Sequence, residues 1–144
     1  LLIGPDEESR QWVAQVAADA GAPWVVFQKR RLGDEWVSED LPDLGAYRDR
    51  TPVLVDDIIS SGATMIQSAR ALLQAGFTAP RCVAVHGIFA GGAYARLLAA
   101  GVAGVVTSNS IAHPSNAIDV HDLLAAATSH QLAGASALQG SGPW

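Results

Sequence analysis

Cysteine is nearly absent from this chain. Cys82 is the only one in 144 residues, so no intramolecular disulfide can form. It lies inside an apolar, strand-like run, which predicts a buried, inert thiol rather than a nucleophile. Charge is also scarce, at 16% of residues against 49% hydrophobic, which describes a chain with a core and excludes a disordered segment. Basic residues number 9 and acidic residues 14, a net charge of −5. That balance argues against binding a nucleic-acid backbone, but a small anion could still be held by backbone amides and a few local cations. Apolar runs are broken by charge or glycine well short of the roughly 20 residues a membrane span requires. No signal peptide is legible, so the expected location is cytoplasmic. Numbering opens on Leu1-Leu2-Ile3, without methionine and inside an expected strand, so a fragment of a longer protein is expected.

Short apolar runs alternate with amphipathic stretches, the pattern of a mainly parallel sheet crossed by helices. The length suits one domain. Strands are expected at residues 1–3, 23–27, 51–55, 81–85, 102–107 and 117–120. Helices are expected from Asp6 to Gly21, over 64–74, over 92–99 and over 121–130. Asp6 is placed to cap the first helix, with Glu7 and Glu8 in its first turn and Trp12, Val13, Val16 and Ala17 on one face. Residues 29–50 read as a long, mixed-charge loop with only a short strand around Trp36-Val37, and such loops are usually functional or mobile. The domain is expected to cover 1–130, and the small, polar tail 131–144 is expected to fray.

One segment carries chemistry: Val53-Leu54-Val55-Asp56-Asp57-Ile58-Ile59-Ser60-Ser61-Gly62-Ala63-Thr64. A buried strand delivers two adjacent carboxylates to its C-terminal edge, where ligands bind in α/β sheets. A hydroxyl-rich turn then opens directly into a helix. Free N–H groups of Ser61 to Thr64 would form an anion nest, and Gly62 lets the backbone approach a phosphate closely. Two acids beside such a nest would repel a bare phosphate. They make sense as acceptors for sugar hydroxyls, or as holders of Mg²⁺ bridging to them. An isolated Asp-Asp pair would be only an acidic turn; the whole run in this order points to a phosphorylated sugar.

The segment resembles the signature shared by type I phosphoribosyltransferases and phosphoribosyl diphosphate (PRPP) synthetases. That resemblance implies a Rossmann-like α/β domain of the phosphoribosyltransferase type, with helices on both faces of the sheet. It also implies that Asp56 and Asp57 bind the ribose 2′ and 3′ hydroxyls, and that Ser60, Ser61, Gly62, Ala63 and Thr64 cradle the 5′-phosphate. Ser60 stands where many members carry an acid. Ala63 stands where glycine is common, which is tolerable if its φ stays negative.

Further segments are similar to PRPP synthetases in particular. Gly4-Pro5-Asp6 resembles their Ser-Pro-Asp turn, implying that Asp6 helps hold catalytic Mg²⁺. Gln28-Lys29-Arg30-Arg31 resembles the start of their catalytic loop, implying that Lys29 and Arg31 contact the transferring phosphates. His86-Gly87-Ile88-Phe89 and Val106-Thr107-Ser108-Asn109-Ser110-Ile111 also resemble family segments, while His86, His113, His121 and His130 show no metal-site spacing. The expected activity is diphosphate transfer from ATP to C1 of ribose 5-phosphate, giving PRPP and AMP, with Mg²⁺. A homologous N-terminal half, absent here, would supply much of the ATP site and contacts within a homo-oligomer, so this chain alone is expected to turn over little. The alternatives are a type I phosphoribosyltransferase and a non-catalytic regulatory subunit of PRPP-synthetase type.

Overall fold

The computed structural model describes residues 1–32, 35–40 and 42–139, the side chains at 29–32, 35–40 and 134–139 excepted. Six parallel strands form the main sheet: β1 (Leu2–Gly4), β2 (Trp24–Val26), β5 (Val53–Ile59), β6 (Arg81–Gly87), β7 (Gly104–Ser108) and β8 (Asn116–Ile118). Their spatial order is β2-β1-β5-β6-β7-β8, and every pairing is parallel. Parallel neighbours require crossovers: α1 (Arg10–Ala20) leads from β1 to β2, α2 (Ala63–Gln74) from β5 to β6 and α3 (Ala93–Ala99) from β6 to β7.

The chain first steps outward from β1 to β2, then returns to the other side of β1 and proceeds from β5 to β8. Right-handed crossovers therefore put α1 on one face and α2 and α3 on the other. The largest core lies under the second pair, where Leu54 of β5 and Cys82 and Ala84 of β6 meet Met65, Ala69, Leu72, Ala93 and Leu97. The reversal of direction falls between β1 and β5, and the crevice outside the strand ends at such a point is where ligands bind in open α/β sheets.

Several sequence expectations need correction. The stretch 29–50 contains an antiparallel hairpin, β3 (Gln28–Leu32) with β4 (Glu35–Asp40), followed by a 3₁₀ turn at Gly45–Tyr47. It is far more regular than one short strand. The strand expected to stop at Val55 runs on to Ile59, because β6 continues beside it and pairs Ile58 with His86 and Ile59 with Gly87. The last helix, α4, extends over His121–Gln139, so residues 131–139 continue it, while 140–144 lie outside the described residues. On α1, Val13 and Ala17 are buried as expected, but Val16 is exposed. No described helix is long and apolar enough to cross a membrane.

Candidate ribose-phosphate site

Asp56 and Asp57 are adjacent inside β5, where strand alternation separates their Cβ atoms, yet the Asp57 carboxylate still lies close enough to bear on that of Asp56. Asp56 shares the face of Leu54, toward the core and α2, and is half-buried, whereas Asp57 is exposed. The backbone then turns through Ser60, Ser61 and Gly62 into α2. A cavity of about 130 Å³ opens here, lined by Asp56, Ile58, Ile59 and the unbroken run from Ser60 to Met65. All five expected phosphate-loop residues line it. Of the two acids, Asp56 does and Asp57 does not.

Gly62 occupies the left-handed region at φ 73°, which L side chains rarely adopt. A Cβ there would also lie 3.3 Å from the Ala93 side chain. Ala63 is not among the positive-φ residues, so the departure from glycine at that position costs no backbone strain. The first N–H groups of α2 have no carbonyl four residues behind them. One of them, Ala63 N–H, reaches Ser61 Oγ at 3.4 Å. Donors at a twelve-residue helix's N-terminus and the helix dipole together favour an anion.

The acids create the opposite field. Burial raises the pKa of Asp56 to about 7, the charges of Asp6 and Asp57 push the same way, and a hydrogen bond from Asp57 N–H (3.0 Å) opposes them. Asp6, just beyond β1, is thus electrostatically coupled to Asp56 across the switch point. It caps the 3₁₀ turn Glu7–Ser9 by accepting from Ser9 N–H at 3.2 Å, which bears out the expected cap. A half-buried acid whose neighbours are also acids suits a divalent cation, which would relieve the repulsion. Among the described residues no group of three or more acids, histidines and cysteines converges as a ready-made metal site.

Lys29 and Arg31 lie on β3, which begins just past the C-terminal end of β2; in register, Lys29 stands opposite Glu39 and Arg31 opposite Trp36. Their side chains lie outside the described residues.

The neighbouring strand ends hold the loop's surroundings in place. The N–H groups of Ile88 and Phe89 both donate to the Ile59 carbonyl at 3.0 Å, tying the turn after β6 to the end of β5. Phe89 pays for this geometry with φ 49°, and its ring packs on Tyr94 and His113. Gly87 makes room, since a Cβ there would lie 2.5 Å from that ring. His86 Nδ1 lies 2.9 Å from Ser110 Oγ, which itself donates to the Val85 carbonyl. Arg96 was not singled out from the sequence, yet it donates to the carbonyls of Ser61 (2.9 Å) and Gly91. No sequence pattern marks it, because its partners are main-chain atoms.

Residues 1–123 match the family model of the phosphoribosyl transferase domain. The chain belongs to that family. Among curated relatives, the ribose-phosphate pyrophosphokinase of Methanopyrus kandleri is 32% identical over 120 residues, covering 83% of this chain and 41% of the relative. Ribose-phosphate pyrophosphokinase 1 of Archaeoglobus fulgidus is 34% identical over 128 residues, covering 89% of this chain and 44% of the relative. The chain therefore spans less than half the length of these relatives. A phosphoribosylpyrophosphate synthetase from Mycobacterium smegmatis has the same fold, with a TM-score of 0.76 at 22% identity over 92% of this chain and 45% of that one. An orotate phosphoribosyltransferase from Aeropyrum pernix superposes less fully, with a TM-score of 0.55 at 22% identity over 74% of this chain and 58% of that one. Both place the domain in the type I phosphoribosyltransferase fold.

Proposed function

We propose that this chain is the ribose 5-phosphate-binding half of a ribose-phosphate diphosphokinase, the enzyme that moves diphosphate from ATP to C1 of ribose 5-phosphate, giving PRPP and AMP. The observation that carries this reading is the cavity at the end of β5, lined both by a half-buried carboxylate and by the N-terminus of α2, which suits an anion. A phosphorylated sugar presents hydroxyls to the first and a dianion to the second. The similarity to ribose-phosphate pyrophosphokinases supports the choice within the family.

In this reading the backbone N–H groups and hydroxyls of Ser60, Ser61, Gly62, Ala63 and Thr64 hold the 5′-phosphate, and Asp56 and Asp57 accept from the ribose hydroxyls. Asp6, with Asp56 close by, would hold Mg²⁺, which when bound neutralises phosphate charge. Lys29 and Arg31 would meet the transferring phosphates, where positioned cations lower the barrier of phosphoryl transfer. The rest of the enzyme, including most of the ATP site, a further metal ligand and the contacts of a homo-oligomer, would come from a second half homologous to this one.

Calorimetric titration of ribose 5-phosphate into the chain, with and without Mg²⁺, tests the reading. Weak binding by the wild type and none by Asp56→Ala/Asp57→Ala is the expected result. Equal binding by both proteins, or no binding by the wild type, would count against it. The chain alone should show little diphosphokinase turnover in a steady-state assay with ATP.

A further inference from the structure

The phosphate loop is braced from outside the cavity by a residue that does not line it. Arg96, on α3, donates through Nη2 to the Ser61 carbonyl at 2.9 Å and through Nη1 to the Gly91 carbonyl. One planar guanidinium thus ties together two loops, the one between β5 and α2 and the one between β6 and α3. The residues flanking these contacts, Gly62 at φ 73°, Gly91 at φ 57° and Gly92 at φ 75°, all sit in the left-handed region, where glycine has unusual freedom. Without a brace, such loops would sample many conformations.

The direction of the brace matters. In a trans peptide unit the C=O and the following N–H point opposite ways. Holding the Ser61 carbonyl toward Arg96 therefore turns Gly62 N–H away from Arg96, which does not line the cavity, whereas Gly62 does. That N–H makes no hydrogen bond with any described residue, which leaves it available as a donor. The geometry also blocks the alternative: with the peptide flipped, the Ser61 carbonyl oxygen would face an incoming anion and repel it.

We propose that Arg96 is the positioning residue of the phosphate loop, fixing the Ser61–Gly62 peptide in the orientation that offers Gly62 N–H to a phosphate. The inference rests on the reading of this loop as the phosphate site, but its structural half can be tested without a ligand. Arginine is suited to the task because its fork reaches two carbonyls at once, which the single ammonium of lysine does less well. Its exposure also means that its removal leaves the core intact.

The test compares wild type with Arg96→Ala, Arg96→Lys and Arg70→Ala. Arg70 is exposed on α2, so its loss makes the same change in net charge. First, backbone ¹⁵N relaxation of the ligand-free chain reads the loop directly. In the wild type Ser61 and Gly62 should have order parameters near the rigid value of about 0.85, falling below roughly 0.6 in Arg96→Ala. Arg96→Lys should lie between, and Arg70→Ala should match the wild type. Unchanged order in Arg96→Ala would overturn the inference whatever the ligand does. Second, calorimetry with ribose 5-phosphate should show about tenfold or greater weakening in Arg96→Ala, with partial rescue in Arg96→Lys, as expected for the loss of a charge-assisted hydrogen bond. Equal weakening by Arg70→Ala would reduce the effect to net charge and overturn the inference. If the wild type fails to bind ribose 5-phosphate, the ribose-phosphate reading falls, and the order parameters alone decide whether Arg96 holds the loop.

Discussion

Asp56 shows how a single side chain can set function against stability. Burial raises its pKa to about 7, with the charges of Asp6 and Asp57 adding to the effect, whereas an unfolded chain would leave it near the ordinary 3.8. The native state therefore binds this proton more tightly than the unfolded state, so its contribution to stability is fully present below pH 3.8, is lost as pH rises toward 7 and stays lost above. Asp56→Asn removes the penalty and keeps an acceptor for Asp57 N–H. The variant should melt higher than wild type at pH 8 by roughly 3 °C, about 1 kcal/mol after discounting for the water that still reaches this half-buried group. The two should melt together below pH 4. Thermal scans by circular dichroism at both pH values check this, and a constant difference across pH would reject the electrostatic account. Cys82 is the opposite case: burial alone pushes its thiol up to about 12, the inert state its apolar surroundings had predicted. Arg96, in contrast, could not be anticipated, since hydrogen bonds to carbonyls of Ser61 and Gly91 leave no trace in residue types.

At the scale of elements, the β5–loop–α2 unit was the most legible part of the chain. Its helix declares itself through Met65, Ala69 and Leu72, three buried residues at helical spacing. Its turn declares itself through serines and a glycine. What stayed hidden was the length of β5, because adjacent aspartates have poor strand propensity and only the pairing with β6 carries the strand past them. The β3–β4 hairpin was hidden for a related reason. Gln28-Lys29-Arg30-Arg31-Leu32 lacks the alternation of apolar and polar residues that marks a half-buried strand. Gly62→Ala probes the unit most directly. A left-handed alanine costs about 1–2 kcal/mol, and the Cβ contact at 3.3 Å adds to it. Urea denaturation should show that loss of stability, and ribose 5-phosphate binding should fall further than stability alone explains, because the peptide next to the nest is distorted. A fully stable Gly62→Ala would mean that the loop adopts another conformation in solution.

Across the whole molecule, protection is unevenly distributed. β5 and β6 are paired on both sides and lie over the main core, while β8 is a three-residue edge strand and α4 is exposed from His121 through residue 133. Native-state hydrogen exchange should therefore release α4 and β8 amides first and those of Leu54, Val55 and Cys82 only on global unfolding. Similar protection throughout would mean that something covers α4 in solution. The strand order has a further consequence, for biosynthesis. β1 is joined to β5 across about 50 positions of chain, with Leu2 in register with Val53 and Ile3 with Leu54. On a ribosome adding about 5–20 residues per second, β1 waits several seconds for that neighbour. Through that interval β2 is its partner among the described strands, and the edge that β5 will take, beside the buried Ile3, is unpaired by them. Asp6 and Asp56 come within electrostatic reach only when this seam closes, so the candidate site is completed by the same event that covers this edge of β1.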